Sequence, residues 1–191
     1  MQLKTNFVYD PKRQGYDTNL FKTLSGVPSV VASQLRINAA SIIHYGDMYG
    51  CDMTVRVTIP AVPIAGDSRR IGLASAGLGA FVGFDISGVV FSIQANDGKG
   101  NTKSVTVDFL AAWATVPTDF EIRWRGTYAD FLVGGVPVID TTDATNKKFA
   151  ATYRLNDIAV PKGPLSIYVL NANADNLDIA TINAKNIQTF I

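Results

Sequence analysis

The chain has 191 residues, 47% of them hydrophobic and only 17% charged, with a net charge of +1. That length fits one domain with a sizeable core, and the scattered, nearly balanced charge excludes the footprint of a nucleic-acid or acidic-membrane binder. A single cysteine, Cys51, and a single histidine, His44, exclude an intramolecular disulfide and a zinc site of several cysteines. Both read as structural residues, and no cofactor or metal is expected.

The N-terminus, MQLKTNFVYDPKRQG, has no apolar signal region, and no later run approaches the ~18 apolar residues of a membrane span. The expectation is a chain made and folded in a cytoplasm, without a membrane partner. Residues 1–32 are poorly patterned and read as an N-terminal arm or loop segment packed on the domain that follows. Asn6 to Tyr9 is a first strand ended by Asp10-Pro11. Lys12 to Val31 carries Gly15, Gly26 and Pro28 and reads as loop, with a helical turn near Leu20 to Leu24.

From Ser33 the strands come regularly. Gln34 to Ala39, Ser41 to Tyr45 and Asp52 to Ile59 are the first three. The third alternates strictly, Met53, Val55, Val57 and Ile59 against Asp52, Thr54, Arg56 and Thr58. Arg69 to Ala76, Gly79 to Asp85, Gly88 to Ala95 and Thr102 to Phe109 follow. Glycine turns separate them, and Asp97-Gly98-Lys99-Gly100 is the strongest hairpin signal. Ala111 to Val116 is a short bridge.

Asp119 to Asp140 then predicts three strands and two tight turns. Phe120, Ile122 and Trp124 share one face; Glu121, Arg123 and Arg125 share the other. Gly126-Thr127 makes the first turn. Gly134-Gly135 supplies the positive φ angles of a two-residue hairpin. Pro137, without an N–H, assigns the third strand to an edge or bulge. Phe149 to Leu155 is a further strand. Leu165 to Leu170 and Leu177 to Asn186 read as a closing pair joined by the Asn-rich 171–176. Twelve or more short strands, with no long helical period, predict an all-β sandwich or barrel.

The order of these pieces resembles the concanavalin A-like lectin/glucanase superfamily, the jelly roll shared by legume lectins, laminin G-like domains and family 16 glycosidases. Three segments carry the resemblance: DMTVRVTIPAVPIAGDSRRIGLAS, DFEIRWRGTYADFLVGGVPV and PLSIYVLNANADNLDIATINAKNIQTF. It implies an antiparallel two-sheet β-sandwich over residues 33–191. Enzymes of that superfamily use an E-x-D-x-E type acidic array, which no segment here has. Glu121 is the only glutamate, and Arg123 on the same face would hold it ionised. Asp119, Glu121, Arg123 and Arg125 therefore read as a solvated outer face with cross-strand charge pairs, and no catalytic residue is assigned. Legume-type lectins bind calcium and manganese through oxygen-rich loops. Asn171, Asn173, Asp175, Asn176 and Asp178 form a comparable cluster, for which ordinary turn chemistry also accounts.

The resulting expectation is a non-enzymatic virus or phage particle component, such as a capsid decoration, tail or fibre-associated protein. It would act by contact with copies of itself or with other virion proteins. The alternative is a carbohydrate-binding lectin-like module that takes, for example, a host-surface glycan. Its aromatic platform would come from Tyr45, Tyr49, Trp113 and Tyr128, each of which also reads as an edge or core aromatic. A third reading, a glycoside hydrolase or lyase with an atypical site, rests on Glu121.

Overall fold

A computed structural model describes residues 6–44, 52–63, 66, 68–87, 90–107, 111–138, 153–155 and 158–186. These form two large antiparallel sheets and one small one. The first runs β1 (Asn6–Tyr9), β17 (Thr181–Asn186), β6 (Met53–Ile59), β11 (Thr118–Trp124), β12 (Ala129–Val133), β13 (Val136–Pro137), with β14 (Tyr153–Leu155) also paired to β12. The second runs β10 (Thr102–Val107), β9 (Val90–Asp97), β8 (Ala80–Ser87), β7 (Ser68–Ala74), β15 (Ser166–Asn171), β5 (Ala40–His44), β2 (Phe21–Ser25). A small sheet of β16 (Leu177–Ile179), β4 (Gln34–Ile37) and β3 (Ser29–Val31) completes them. No described helix is long and apolar enough to cross a membrane.

The alternating residues of each strand make the core. Val55, Val57, Phe120, Ile122, Trp124 and Phe131 from the β6–β11 sheet are buried, as are Ile71, Leu73, Phe84, Phe91, Ile93, Ile167 and Val169 from the β7–β8 sheet. Phe84 joins the two layers, with ring centroids 5.3 Å from both Phe120 and Phe131, edge to face, and 5.4 Å from Phe91. Trp124 is fully buried and its indole N–H donates to the Pro161 carbonyl at 2.9 Å.

The central hairpins form as their turn residues require. Trp124 pairs with Ala129 and Phe120 with Val133. Gly134 and Gly135 take φ of 60° and 79°, and β13 with Pro137 lies at the sheet edge. The 3-10 helix Ala111–Ala114 occupies the bridge before β11.

Three expectations are corrected. Residues 12–31 are not a loop: a helical turn at Pro11–Gln14, capped by Asp10, is followed by β2 and β3. Phe21 drives this, since its fully buried ring meets Tyr9 at 4.9 Å. The closing strands do not pair with each other. β15 lies between β7 and β5, whereas β17 lies between β1 and β6 in the opposite sheet. The run 177–186 is also two strands, broken at Ala180, whose N–H donates to the Thr58 carbonyl. Glu121 is not solvated: at 3% exposure it is buried on the outer side of its sheet. Its Oε2 accepts from Arg56 Nε and Nη2 at 3.0 and 2.5 Å, and its Oε1 from Arg123 Nε at 2.6 Å.

Candidate functional site

The β7–β8 sheet has a second, outward face, and its register brings chemistry together there. Arg70 lies opposite Asp85, Gly72 opposite Gly83, and Ala74 opposite Phe81. Across β8, Asp85 meets Ser92, Gly83 meets Gln94, and Phe81 meets Asn96. On the other flank Tyr168 of β15 lies between Gly72 and Ile43. Ile43, Ala74, Phe81 and Tyr168 form an apolar cluster separate from the main core, with Leu24 and Leu170 packed against it.

Phe81 lies flat because the glycines beneath it leave room. A Cβ on Gly83 would stand 2.6 Å from Phe81 Cζ and 2.4 Å from the Ile71 carbonyl oxygen; one on Gly72 would stand 2.3 Å from the Val82 carbonyl oxygen. Gly83→Ala is therefore expected to displace the Phe81 ring or the β7–β8 pairing, lowering stability by ~1–3 kcal/mol. Urea unfolding checks the stability, and loss of the Phe81–Tyr168 nuclear Overhauser contacts checks the displacement.

The aromatic pair supports a polar group. Tyr168 meets Phe81 edge to face at 6.2 Å, and the Arg70 guanidinium lies over the Phe81 ring, 5.7 Å from its centroid. Arg70 Nε donates to Asp85 Oδ2 and the Ser68 hydroxyl to Asp85 Oδ1, both at 2.9 Å. Asp85 is buried, whereas the Arg70 side chain is 41% exposed. Burial pushes the Tyr168 phenol up, and the nearby Arg70 charge only partly counters it. Tyr168 is therefore an O–H donor at neutral pH. Gln94 is half-buried beside Ser92, to which its amide donates at 3.5 Å.

Of the residues expected as an aromatic platform, Tyr45 and Tyr49 lie outside the described residues, as does Cys51. His44 ends β5. Trp113 and Tyr128 are not brought together. Trp113 is buried against Phe91 and Phe120 near the start of β11. Tyr128 is half-buried in the turn after Trp124, at the other end of that strand, ~20 Å away by strand rise. Trp113 walls an apolar pocket of about 410 Å³ with Val116, Pro117, Val136 and Pro137. Sugar hydroxyls find little there, because the Val116, Gly134 and Val138 N–H groups and the Thr118 hydroxyl already donate to protein carbonyls.

The Asn-rich segment is a structural tie. Asn171 Nδ2 donates to the carbonyls of Ile37 and Asp175 at 2.8 and 2.7 Å, and Asn38 Nδ2 to Ala174 O and Asn176 Oδ1. Arg69 donates to both Asp175 oxygens at 2.6 Å, and Arg36 pairs with Asp178 at 2.8 Å. The positive charge this cluster faces is thus arginine, and no three His, Cys, Asp or Glu side chains are grouped for a metal among the described residues. These ties carry the chain from the second sheet into the small one, a role that turn composition alone did not show.

No protein-family model and no curated protein matches the chain. Solved structures match in fold, and the two sheets define the class: this is a concanavalin A-like jelly roll. A prokaryotic β-1,3-1,4-glucanase (lichenase) derived from a mouse hindgut metagenome is similar with a TM-score of 0.71 and 12% identity, over 96% of this chain and 100% of that one. The Crh5 transglycosylase in complex with NAG matches at 0.62 and 12%, over 97% and 85%. The exoplasmic/lumenal domain of VIP36, in a Ca²⁺/Man3GlcNAc-bound form, matches at 0.59 and 13%, over 95% and 88%.

These neighbours correct the functional expectation. A virus or phage particle role rested on low charge and the jelly-roll shape, and the non-enzymatic reading on the missing acidic array. The same shape belongs here to a glucanase, a transglycosylase and a glycan-bound lectin domain.

Proposed function

We propose that this protein is carbohydrate-active and holds a glycan on the outward face of the β7–β8 sheet. The observation that carries this is a row of planar polar side chains on one sheet face, Arg70 anchored by Asp85 and Gln94 one strand further on, beside the aromatic pair Phe81 and Tyr168, with the Arg70 guanidinium over the Phe81 ring. Binding sites for small polar ligands pair an apolar base with a few oriented donors and acceptors, and planar groups engage neighbouring hydroxyls two at a time. The neighbours' fold supports glycan as the ligand class. Titration calorimetry against a panel of oligosaccharides is expected to find saturable binding that Gln94→Ala weakens about tenfold, the scale of one lost hydrogen bond to a charged or oriented group. Val8→Asp, on the exposed edge strand of the other sheet, should leave affinity unchanged. Absence of binding across the panel at millimolar glycan overturns the reading.

A second reading, cleavage or transfer of a glycosidic bond, is favoured by the glucanase and transglycosylase among the neighbours. Retaining chemistry needs two carboxyl groups ~5 Å apart. Asp85 is the carboxylate on this face among the described residues. Release of reducing ends that disappears in Asp85→Asn would assign hydrolysis to the same face.

A further inference from the structure

The terminal nitrogens of Arg70 set this face apart from a site for neutral sugar. Nε is occupied by Asp85 Oδ2, and the guanidinium lies over the Phe81 ring, 5.7 Å from its centroid. Asp85 itself is filled, with Ser68 on one oxygen and Arg70 on the other, and is 7% exposed. Beyond Nε, the two terminal nitrogens find no hydrogen-bond partner among the described residues, on a side chain that is 41% exposed. A guanidinium anchored through Nε, with its far edge open, is a preorganised fork for a carboxylate or sulfate. It loses less side-chain entropy on binding than a mobile surface arginine.

The surroundings agree with this charge. Tyr168 supplies a neutral O–H on one flank, and Gln94 an amide across β8. Lys22, exposed on β2 and opposite Ile43, adds a second cation three strands away, ~14 Å at the usual strand spacing. A chain carrying an acid group on repeating units can reach both. An incoming oxyanion meets the terminal nitrogens first, with the Asp85 carboxylate behind Nε.

Resting on the glycan reading above, we infer that the ligand is an acidic glycan, with a uronate carboxylate or a sulfate ester read by Arg70. The test is calorimetry with three sets of matched oligosaccharides: oligogalacturonates, sulfated galactans and neutral glucans. One or both acidic sets should bind at least tenfold more tightly than the neutral set. Added salt should weaken the acidic set alone. Arg70→Gln should remove the preference, while Arg70→Lys, keeping the charge without the fork, should retain part of it. Which acidic set prevails tells carboxylate from sulfate.

A merely structural Arg70 would lower stability in Arg70→Gln without changing the ratio of acidic to neutral affinity, and that outcome overturns the inference. Equal affinity for neutral and acidic glycans also overturns it, and leaves the glycan reading standing. Should Arg70→Gln unfold, the salt dependence and acid preference of the unaltered protein decide alone. Binding of none of the three sets overturns both.

Discussion

Glu121→Gln is expected to lower the unfolding free energy at pH 7 by ~2–3 kcal/mol, at or just below the bottom of the ~3–5 kcal/mol that removing one partner of a buried ion pair costs. The reduction applies because Arg56 and Arg123 are 46% and 42% exposed, so water recovers part of their solvation. The carboxylate is buried between them and accepts from both. An amide would place an N–H₂ against one of those donors and leave Arg56 with only the Asp119 carboxylate, 3.8 Å away.

The same residue sets an acid dependence. Burial raises the Glu121 carboxyl, but hydrogen bonds and charge from Arg56 and Arg123 outweigh it and hold the carboxyl below its ordinary range. A carboxyl lowered in the folded state contributes stability above its unfolded pKa, and this is lost as the pH falls through the lower folded value. Urea midpoints between pH 7 and pH 3 should therefore fall less steeply in Glu121→Gln than in the unaltered protein. Parallel curves would mean that the carboxylate is not held by its arginines.

Phe84→Ala is expected to cost ~3–5 kcal/mol, the range for truncating a buried aromatic. Phe84 is fully buried and its ring touches Phe91, Phe120 and Phe131, from its own sheet and from the one opposite. Two of these contacts, edge to face with Phe120 and Phe131, cross between the layers, so the cavity opens inside the sandwich, where sheets cannot close without losing register. Chemical denaturation measures it. A loss under ~1 kcal/mol would show that the layers are held elsewhere.

The pattern of the residues themselves carried most of the fold. Strict alternation in Met53–Ile59 and Phe120–Trp124 placed one side of each strand in the core, and Trp124 there in particular. The Gly134-Gly135 pair and Asp97–Gly100 fixed two hairpins, and Pro137 marked an edge. These are local signals, since side-chain period and turn chemistry act over a few residues. Where local signal was weak, in residues 12–31, tertiary contacts decided. Phe21 is buried against Tyr9 and so pulls β2 into the second sheet.

The candidate site was partly legible. With the turn at 75–79 placed, the β7–β8 register puts Arg70 opposite Asp85, fifteen residues on. Nothing in the sequence adds Tyr168, which reaches Phe81 only because β15 inserts beside β7. Glu121 shows the same limit. Its alternation assigns it to an outward face, and that is where it lies, but Arg56, 65 residues away in the chain, joins Arg123 in holding it buried. Alternation tells each strand which of its sides is apolar, because water acts on residues one at a time. Which strands stand side by side, and so which polar groups share a face, depends on contacts between distant segments that only the assembled sheets supply.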